Sequence, residues 1–491
     1  MDWVVLLPPI VAIVLALWTR QVYLSLVLGL WIGTTILENG NPLAGLRELA
    51  DQLVLVFQDA GNTRILIFSL LVGGLIALVQ ASGGVAGFIN WVHRRGWGTT
   101  RRSAEVLAWA VGMFIFVESS ITSLTVGTLS RPFFDKLSLA REKIAYYCDA
   151  TSAPVCMSIP LNGWGAYVLG LLAAQGIATG AVGLLAQSLL FNFFSLFAII
   201  FALILALTGW SFGAMRKAEH RAATTGQVTR PGSTPMIAEE VADIQPVETA
   251  PGHARDLLVP IFVMVGMIFV GLYVTGKSNL EASGEQASGF WDLLAQASGS
   301  TSVLWAVGTA ILVAMVLYAI PRPLRGGKPI MSFIQSTDWV LKGSSGLVGV
   351  VALLVFAFAL GQVSRALEMG PYVVGLIGEG VPAWWLPALV FVVGCFVSFT
   401  LGSSWTSFAI LMPIAIPLAE GLGLSVPLML GAVLSGGVYG DHASPLSDTS
   451  IISSMSAACD HVDHINTQLP YSLLLAGLAF VAFLVAGLVT G

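Results

Sequence analysis

The sequence predicts an all-α polytopic membrane protein built from two inverted-topology repeats, with re-entrant hairpins and broken transmembrane helices. Three observations carry that expectation. Of the 491 residues, 56% are apolar and only 10% are charged, against roughly 25% charge in a soluble domain. The apolar runs are long enough to cross a hydrocarbon core as helices, and the strict period-2 alternation of an outer-membrane barrel is missing. Two polar motifs recur in the same order in both halves, in opposite charge surroundings.

The first run, Trp3–Trp18, follows Asp2 with no Lys or Arg and no small-residue cleavage pattern, so it reads as a retained span and not a signal peptide. Cys148, Cys156, Cys395 and Cys459 lie in or beside apolar segments without paired metal spacing. They read as buried small hydrophobes, with neither a disulfide nor a zinc site expected. A formal charge of −5 is small for this length and points to no nucleic-acid partner.

Spans at 3–19 and 22–37 flank Arg20, and a third at 64–92 ends in the basic loop His93–Arg102, HRRGWGTTRR. Short basic loops stay in the cytoplasm, which places the N-terminus on the periplasmic side and 38–63 outside as well. Within 38–63, NPLAGLRELADQLVLVF has the spacing of an amphipathic surface helix. Residues 1–102 are thus N-terminal scaffold helices. From 103 to 130 there is apolar length for one span and a short return, a hairpin that carries Glu118 and the SSITS segment. A second basic loop, Arg131–Lys143, follows, then spans at 161–178 and 182–209 interrupted by Pro154, Pro160 and glycines. This completes a first repeat core, 103–210.

Residues 211–255 lose the large apolar side chains and read as a flexible cytoplasmic linker. Scaffold helices of the second half occupy 256–382, with spans at 256–275, 301–320 and 345–362, an external loop at 276–300 and the basic loop Arg322–Lys328. A second repeat core, 383–491, holds a span at 383–400, a hairpin, a broken helix and the final span Tyr471–Gly491.

The repeat rests on Ser119-Ser120-Ile121-Thr122-Ser123 matching Ser403-Ser404-Trp405-Thr406-Ser407, and on DATSAP from Asp149 matching DHASP from Asp441. Between the first pair of motifs lie Arg131, Lys136, Arg141 and Lys143; from Leu401 to Gly440 Glu420 is the only charge. The positive-inside rule then sends the two connections to opposite sides of the membrane. Inverted repeats with polar interruptions at matching places are the pattern of secondary transporters, whose sites lie near the midplane between broken helices. Chance matching with ordinary Ser/Thr packing between helices is the competing explanation.

Carboxylates at membrane depth are costly unless paired, hydrated or protonated. The stretch Ser435–Pro470 carries Asp441, Asp448, Asp460 and Asp463 beside apolar runs. Unwound carbonyls, hydroxyls and one or two carboxylates make the hard oxygen shell a small cation needs. The candidates are Ser119, Ser120, Thr122, Ser403, Ser404, Thr406, Ser444, Ser447 and Thr449 for oxygens, with Asp149, Asp441 and Asp448 for charge. A carboxylate out of water favours its protonated form and an arriving cation favours the ionised one, so H⁺ and Na⁺ can compete for a single Asp. Asp441, Glu118 and His442 are the proton-coupling candidates; an interfacial Glu and a hydrogen-bonded structural His explain the last two equally well. Asp460, His461, Asp463 and His464 have metal-like spacing, but i,i+3 pairing or capping of the last helix accounts for them without a metal. No metal is expected beyond Na⁺, and no cofactor.

The run GDHASPLSDTSIISSMSAACDHVDHINTQLPYSL, Gly440–Leu473, resembles the signature of the NhaC-type Na⁺/H⁺ antiporter family. The first half is similar chiefly through the repeat partner around Ser119–Pro160. The resemblance implies a secondary transporter of the bacterial inner membrane, with a mobile transport domain against a dimerising scaffold, hence a homodimer. It also implies family members that exchange organic acids or amino acids. SSxTS in the second half departs from the Gly- and Thr-containing variant common in relatives, which leaves the cargo open. Na⁺/H⁺ antiport by alternating access is the leading expectation. A Na⁺- or H⁺-coupled carrier of a small organic anion or amino acid is the second, since helix N-termini bind carboxylates well. An intramembrane aspartyl protease would need Asp149 and Asp441 to face each other, and the local sequences lack its GxGD pattern.

Overall fold

The computed structural model describes residues 3–19, 21–116, 118–177, 180–235, 252–283, 293, 296–321, 328–368, 372 and 382–490. Among the described residues every extended element is a helix. Helices α1 (Leu7–Thr19), α2 (Val22–Leu37), α3 (Pro42–Gln58), α4 (Ala60–Ala81) and α5 (Gly84–Arg94) precede a hairpin of α6 (Arg101–Phe114) and α7 (Ser119–Lys136). Short α8 (Arg141–Ala150) and α9 (Ala153–Ser158) lead to α10 (Gly163–Ala174), α11 (Ala181–Ser188), α12 (Phe193–Thr208) and α13 (Gly213–Thr225). The second half comprises α14 (Ala254–Ser283), α15 (Gly299–Ala319), α16 (Phe333–Gly346), α17 (Val348–Ala366), α18 (Leu386–Leu401), α19 (Ser404–Gly421), α20 (Val426–Ala443), α21 (Asp448–Ser456) and α22 (His461–Thr490).

Among the described residues six helices are long and apolar enough to span a membrane. Two further spans are bent pairs, by 46° between α8–α9 and α10 and by 47° between α16 and α17. The chain is therefore a multi-pass membrane protein with broken spans of re-entrant character.

Local chemistry explains where helices start and stop. Asn41 accepts from the Leu43 and Ala44 amides, with Pro42 at the first position of α3, a position where the missing N–H costs nothing. The expected span at 64–92 is two helices instead. Gly83 at φ +72 turns the chain between α4 and α5, and the Ser82 hydroxyl accepts from Gly84 N at 3.1 Å. The run 182–209 likewise divides at Asn192, whose side-chain oxygen accepts from the Ser435 hydroxyl at 3.0 Å.

Part of the stretch read as a flexible linker is ordered. Helix α13 buries Met215, Ala218 and Ala222, and Arg221 holds Glu142 of α8 at 2.8 Å. Its buried face is too small in side-chain volume to stand out from sequence. Of that stretch 236–251 lie outside the described residues, as do 322–327 of the third basic loop and most of 284–295 in the external loop.

The helices α6–α12 and α18–α22 pack among themselves, while α1–α5 pack with α14–α17. α10 bridges to α4 and α17, and α17 to α19. A cavity opens along this seam.

Candidate functional site

The first wall of the cavity is built by two helix starts. At α7, Glu118 is the N-cap: one carboxylate oxygen accepts from Ile121 N at 2.9 Å, and the other accepts from the Ser119 and Ser120 hydroxyls at 3.2 Å each. Thr122 turns back onto Glu118 O at 2.9 Å. At α19, Ser403 is the N-cap and its hydroxyl accepts from Thr406 N at 3.3 Å. The turn before it needs Gly402, at φ +67, where a Cβ would lie 2.7 Å from the Leu446 backbone. Both SSxTS segments therefore present hydroxyls and a helix N-terminus, the polarity that stabilises negative charge nearby.

The second wall follows from the breaks. Ser444 is extended (ψ 134) ahead of Pro445, ending α20, as the residue before a proline avoids helical geometry. The chain crosses Ser444–Ser447 and re-enters helix at Asp448. Asp441, 2% exposed, accepts from the Ser404 hydroxyl at 2.6 Å, from Ser447 at 2.5 Å and from Thr449 at 3.4 Å. Asp448 accepts from its neighbour's amide, Thr449 N at 2.9 Å, and its side chain is open to the cavity. α20 can bring Asp441 this close to α19 because α18 lies against it: a Cβ on Gly440 would stand 2.2 Å from Phe399 N, the close approach that small residues allow between membrane helices.

These elements enclose a cavity of about 580 Å³. Glu118, Ser119, Ser120, Ser403, Thr406, Asp441, Asp448 and Thr449 line it, with Trp164 and Trp405 stacked edge to face at 5.7 Å between the two helix starts. Its far side is formed by α2, α4 and α16, which supply Tyr23, Gln80 and Lys342. Lys342 is the one cationic side chain among the described lining residues.

Ser404 sits behind Asp441, and Ser444 and Thr122 are buried away from the lining. Asp149 also lies outside the cavity. It is fully buried, accepting from Ser450 and from the Gln468 side-chain amide at 2.7 Å each, with His464 at 3.3 Å and His442 at 3.6 Å. The same Ser450 hydroxyl is 3.3 Å from the Asp441 carbonyl, so one side chain separates this cluster from the cavity wall.

His464, Gln468 and Ser450 are absent from the sequence-derived set. The signal was present: His461, His464, Gln468 and Tyr471 recur at helical spacing along the start of the last apolar run. The four residues with metal-like spacing separate instead. Asp460 accepts from Val462 N and Thr234 N, His461 lies 2.9 Å from Pro445 O, Asp463 pairs with Arg230 at 2.8 Å, and His464 turns to Asp149. Asn162 was also missed: its amide group donates to Phe116 O, Cys156 O and Ile159 O while its oxygen caps α10, locking the hairpin to the broken helix.

Residues 164–488, which contain α19–α21, nearly all of α22 and both aspartates of the cavity, match the Na⁺/H⁺ antiporter family. The chain belongs to that family. An uncharacterised Haemophilus influenzae protein is 31% identical over 98% of this chain and 90% of its own. Shorter similarities reach the arginine/ornithine antiporter ArcD of Halobacterium salinarum, 35% identical over 22% of each chain. They also reach the malate-2H⁺/Na⁺-lactate antiporter of Bacillus subtilis, 34% identical over 19% of this chain and 20% of that one. The crystal structure of the Alcanivorax borkumensis YdaH transporter has a similar fold, with TM-score 0.58 at 16% identity over 90% of this chain and 88% of that one. As a member of the Na⁺/H⁺ antiporter family, the protein is a bacterial multi-pass secondary active transporter.

Proposed function

We propose that this transporter exchanges Na⁺ for H⁺ by alternating access, with the cation held in the cavity by Asp441, Asp448 and the hydroxyls of Ser403, Thr406 and Thr449. The observation that carries this reading is the convergence of two capped helix starts and the carboxylates of Glu118, Asp441 and Asp448 on one cavity. Asp441 accepts from three hydroxyls and pairs with no cation among the described residues, so its charge is free to be balanced by Na⁺ or by a proton in turn. The proton has a second seat beside it. Asp149, lying between the imidazoles of His442 and His464, can hold one proton among three groups. Movement of α6–α12 and α18–α22, as two inverted halves, against α1–α5 and α14–α17 would open the cavity to each side, in a homodimer with the N-terminus in the periplasm.

A second reading, a Na⁺- or H⁺-coupled exchanger of a small organic acid or amino acid, is favoured by the cavity itself. Its volume of about 580 Å³ far exceeds a bare cation, and Lys342 with two helix N-termini offers a carboxylate somewhere to bind. Two of the similar proteins are named for organic cargo. Flux of labelled Na⁺ into proteoliposomes, with and without a panel of organic and amino acids, tests both readings. Na⁺ uptake driven by an outward H⁺ gradient alone supports the first; uptake only with an organic acid present supports the second.

A further inference from the structure

Where α5 meets α6, the fold makes an apolar groove of about 620 Å³ that shares no lining residue with the transport cavity. Two helix stripes build it. Phe88, Trp91, Val92 and Arg95 follow at i, i+3, i+4 and i+7 at the end of α5; Arg102, Val106, Ala110 and Phe114 follow at steps of four along α6. Such spacing puts each set on one helix face. Both stripes are apolar along their length and finish in an arginine at the end joined by the 95–100 loop. Trp91, Trp97 and Phe114 are 39%, 47% and 48% exposed. Phe114 meets Phe262 of α14 edge to face at 6.0 Å, so helices of both packing groups flank the groove.

The mouth of the groove carries arginines that pair with no carboxylate among the described residues. The Arg95 guanidinium lies 5.5 Å over the Trp91 ring. Arg101 donates to Leu137 O and Ser138 O, whereas Arg102 is exposed and directly precedes the groove-lining Ser103. The sole carboxylate between residues 84 and 114, Glu105, is buried against Lys143 at 2.8 Å. Indole rings at this level are the usual mark of the membrane–water interface.

We propose that this groove seats one acyl chain of an anionic phospholipid from the adjoining leaflet, with the lipid phosphate against Arg95 and Arg102. The occupant must be both apolar and anionic. A soluble phosphate would satisfy the arginines and leave the slot unfilled, and a zwitterionic lipid would fill the slot without net charge for the mouth; basic residues at a bilayer surface favour anionic headgroups. The proposal does not depend on which ions or solutes the protein exchanges.

The test uses the purified full-length protein in detergent, with binding followed by native mass spectrometry and by thermal unfolding. Phosphatidylglycerol should remain bound and raise the unfolding temperature more than phosphatidylcholine of the same chains, and glycerol 3-phosphate should do neither. The double variant Arg95→Gln/Arg102→Gln should weaken phosphatidylglycerol binding about 25-fold, roughly fivefold for each surface cation lost, and abolish the preference over phosphatidylcholine. Ala110→Trp keeps both arginines, fills the slot and should also displace the lipid; it decides the matter should the double variant not fold. Equal effects of the two lipids, stabilisation by glycerol 3-phosphate alone, or wild-type phosphatidylglycerol retention by Ala110→Trp would overturn the proposal.

Discussion

The Ser404 hydroxyl donates a 2.6 Å hydrogen bond to the Asp441 carboxylate, joining the start of α19 to the end of α20. It ties one SSxTS segment to the acidic motif of the same half and fixes the carboxylate at the cavity wall. Ser404→Ala should therefore act on cation affinity. A hydrogen bond to a charged group contributes about 1.5–3 kcal/mol, so the Na⁺ concentration for half-maximal exchange should rise roughly tenfold or more. Unchanged Na⁺ dependence in proteoliposomes, at equal protein content, would remove Asp441 from the cation site.

The Asp149 cluster should behave as one unit. His464→Ala and Gln468→Leu each strip a partner from a fully buried carboxylate, costing about 1–3 kcal/mol apiece. Adding Asp149→Asn to His464→Ala should recover part of that loss, because the uncompensated charge goes with it. Thermal unfolding in detergent reads the cycle; strictly additive effects would contradict the coupling.

Lys143 makes a buried ion pair with Glu105 at 2.8 Å, each side chain being at most 2% exposed. Lys143→Met leaves a buried carboxylate without its cation and should destabilise the protein by about 3–5 kcal/mol. Lys143→Met/Glu105→Gln should be closer to wild type than the single variant, since the fully buried carboxylate is then neutral and Glu219, 3.5 Å from Lys143, keeps 15% of its side chain in contact with solvent. Comparison of unfolding temperatures checks the order of the three proteins.

Asp460 ties residues 233–235 to the start of α22. Burial pushes its carboxyl up, but the amides of Thr234, Asp463 and Val462 outweigh that and hold it below the ordinary carboxylate range. A folded-state value lower than the unfolded one means that its stabilisation is complete above the unfolded carboxylate range and is lost as pH falls through the folded value. Hydrogen exchange at Thr234, corrected for intrinsic rate, should show protection at neutral pH that fades in acid. Asp460→Asn should reduce protection at neutral pH and flatten the acid response; an unaltered profile would contradict the tie.

Much of the architecture was legible because lipid imposes simple rules. Apolar run length located the long spans, and proline with glycine located the break around Pro154, with its counterpart at Asp441–Pro445 found by motif match. Length alone misjudged two runs, since the single turns at Gly83 and Asn192 interrupt hydrophobic sequence without changing its composition. The cavity residues were accessible through the paired SSxTS segments, which do converge. Asp149 was placed by motif analogy with Asp441 but sits behind the wall, because its neighbours on α22, His464 and Gln468, come from 315 and 319 residues away. The helical recurrence of His464 and Gln468 marks a polar face on α22, but separation of that size leaves nothing local to tie that face to Asp149. The same holds for Lys342, an ordinary exposed lysine until α16 packs on α4.

The account stands on competition between Na⁺ and H⁺ at Asp441. Its most direct test is the collapse of an imposed pH gradient in proteoliposomes on addition of Na⁺ or Li⁺, for wild type and Asp441→Asn. Rapid dissipation by wild type, and at least a tenfold slower response by Asp441→Asn as expected when a charged ligand worth ~1.5–3 kcal/mol is lost, is the predicted result. A gradient unaffected by either cation in wild type, or dissipated equally fast by Asp441→Asn, would contradict it.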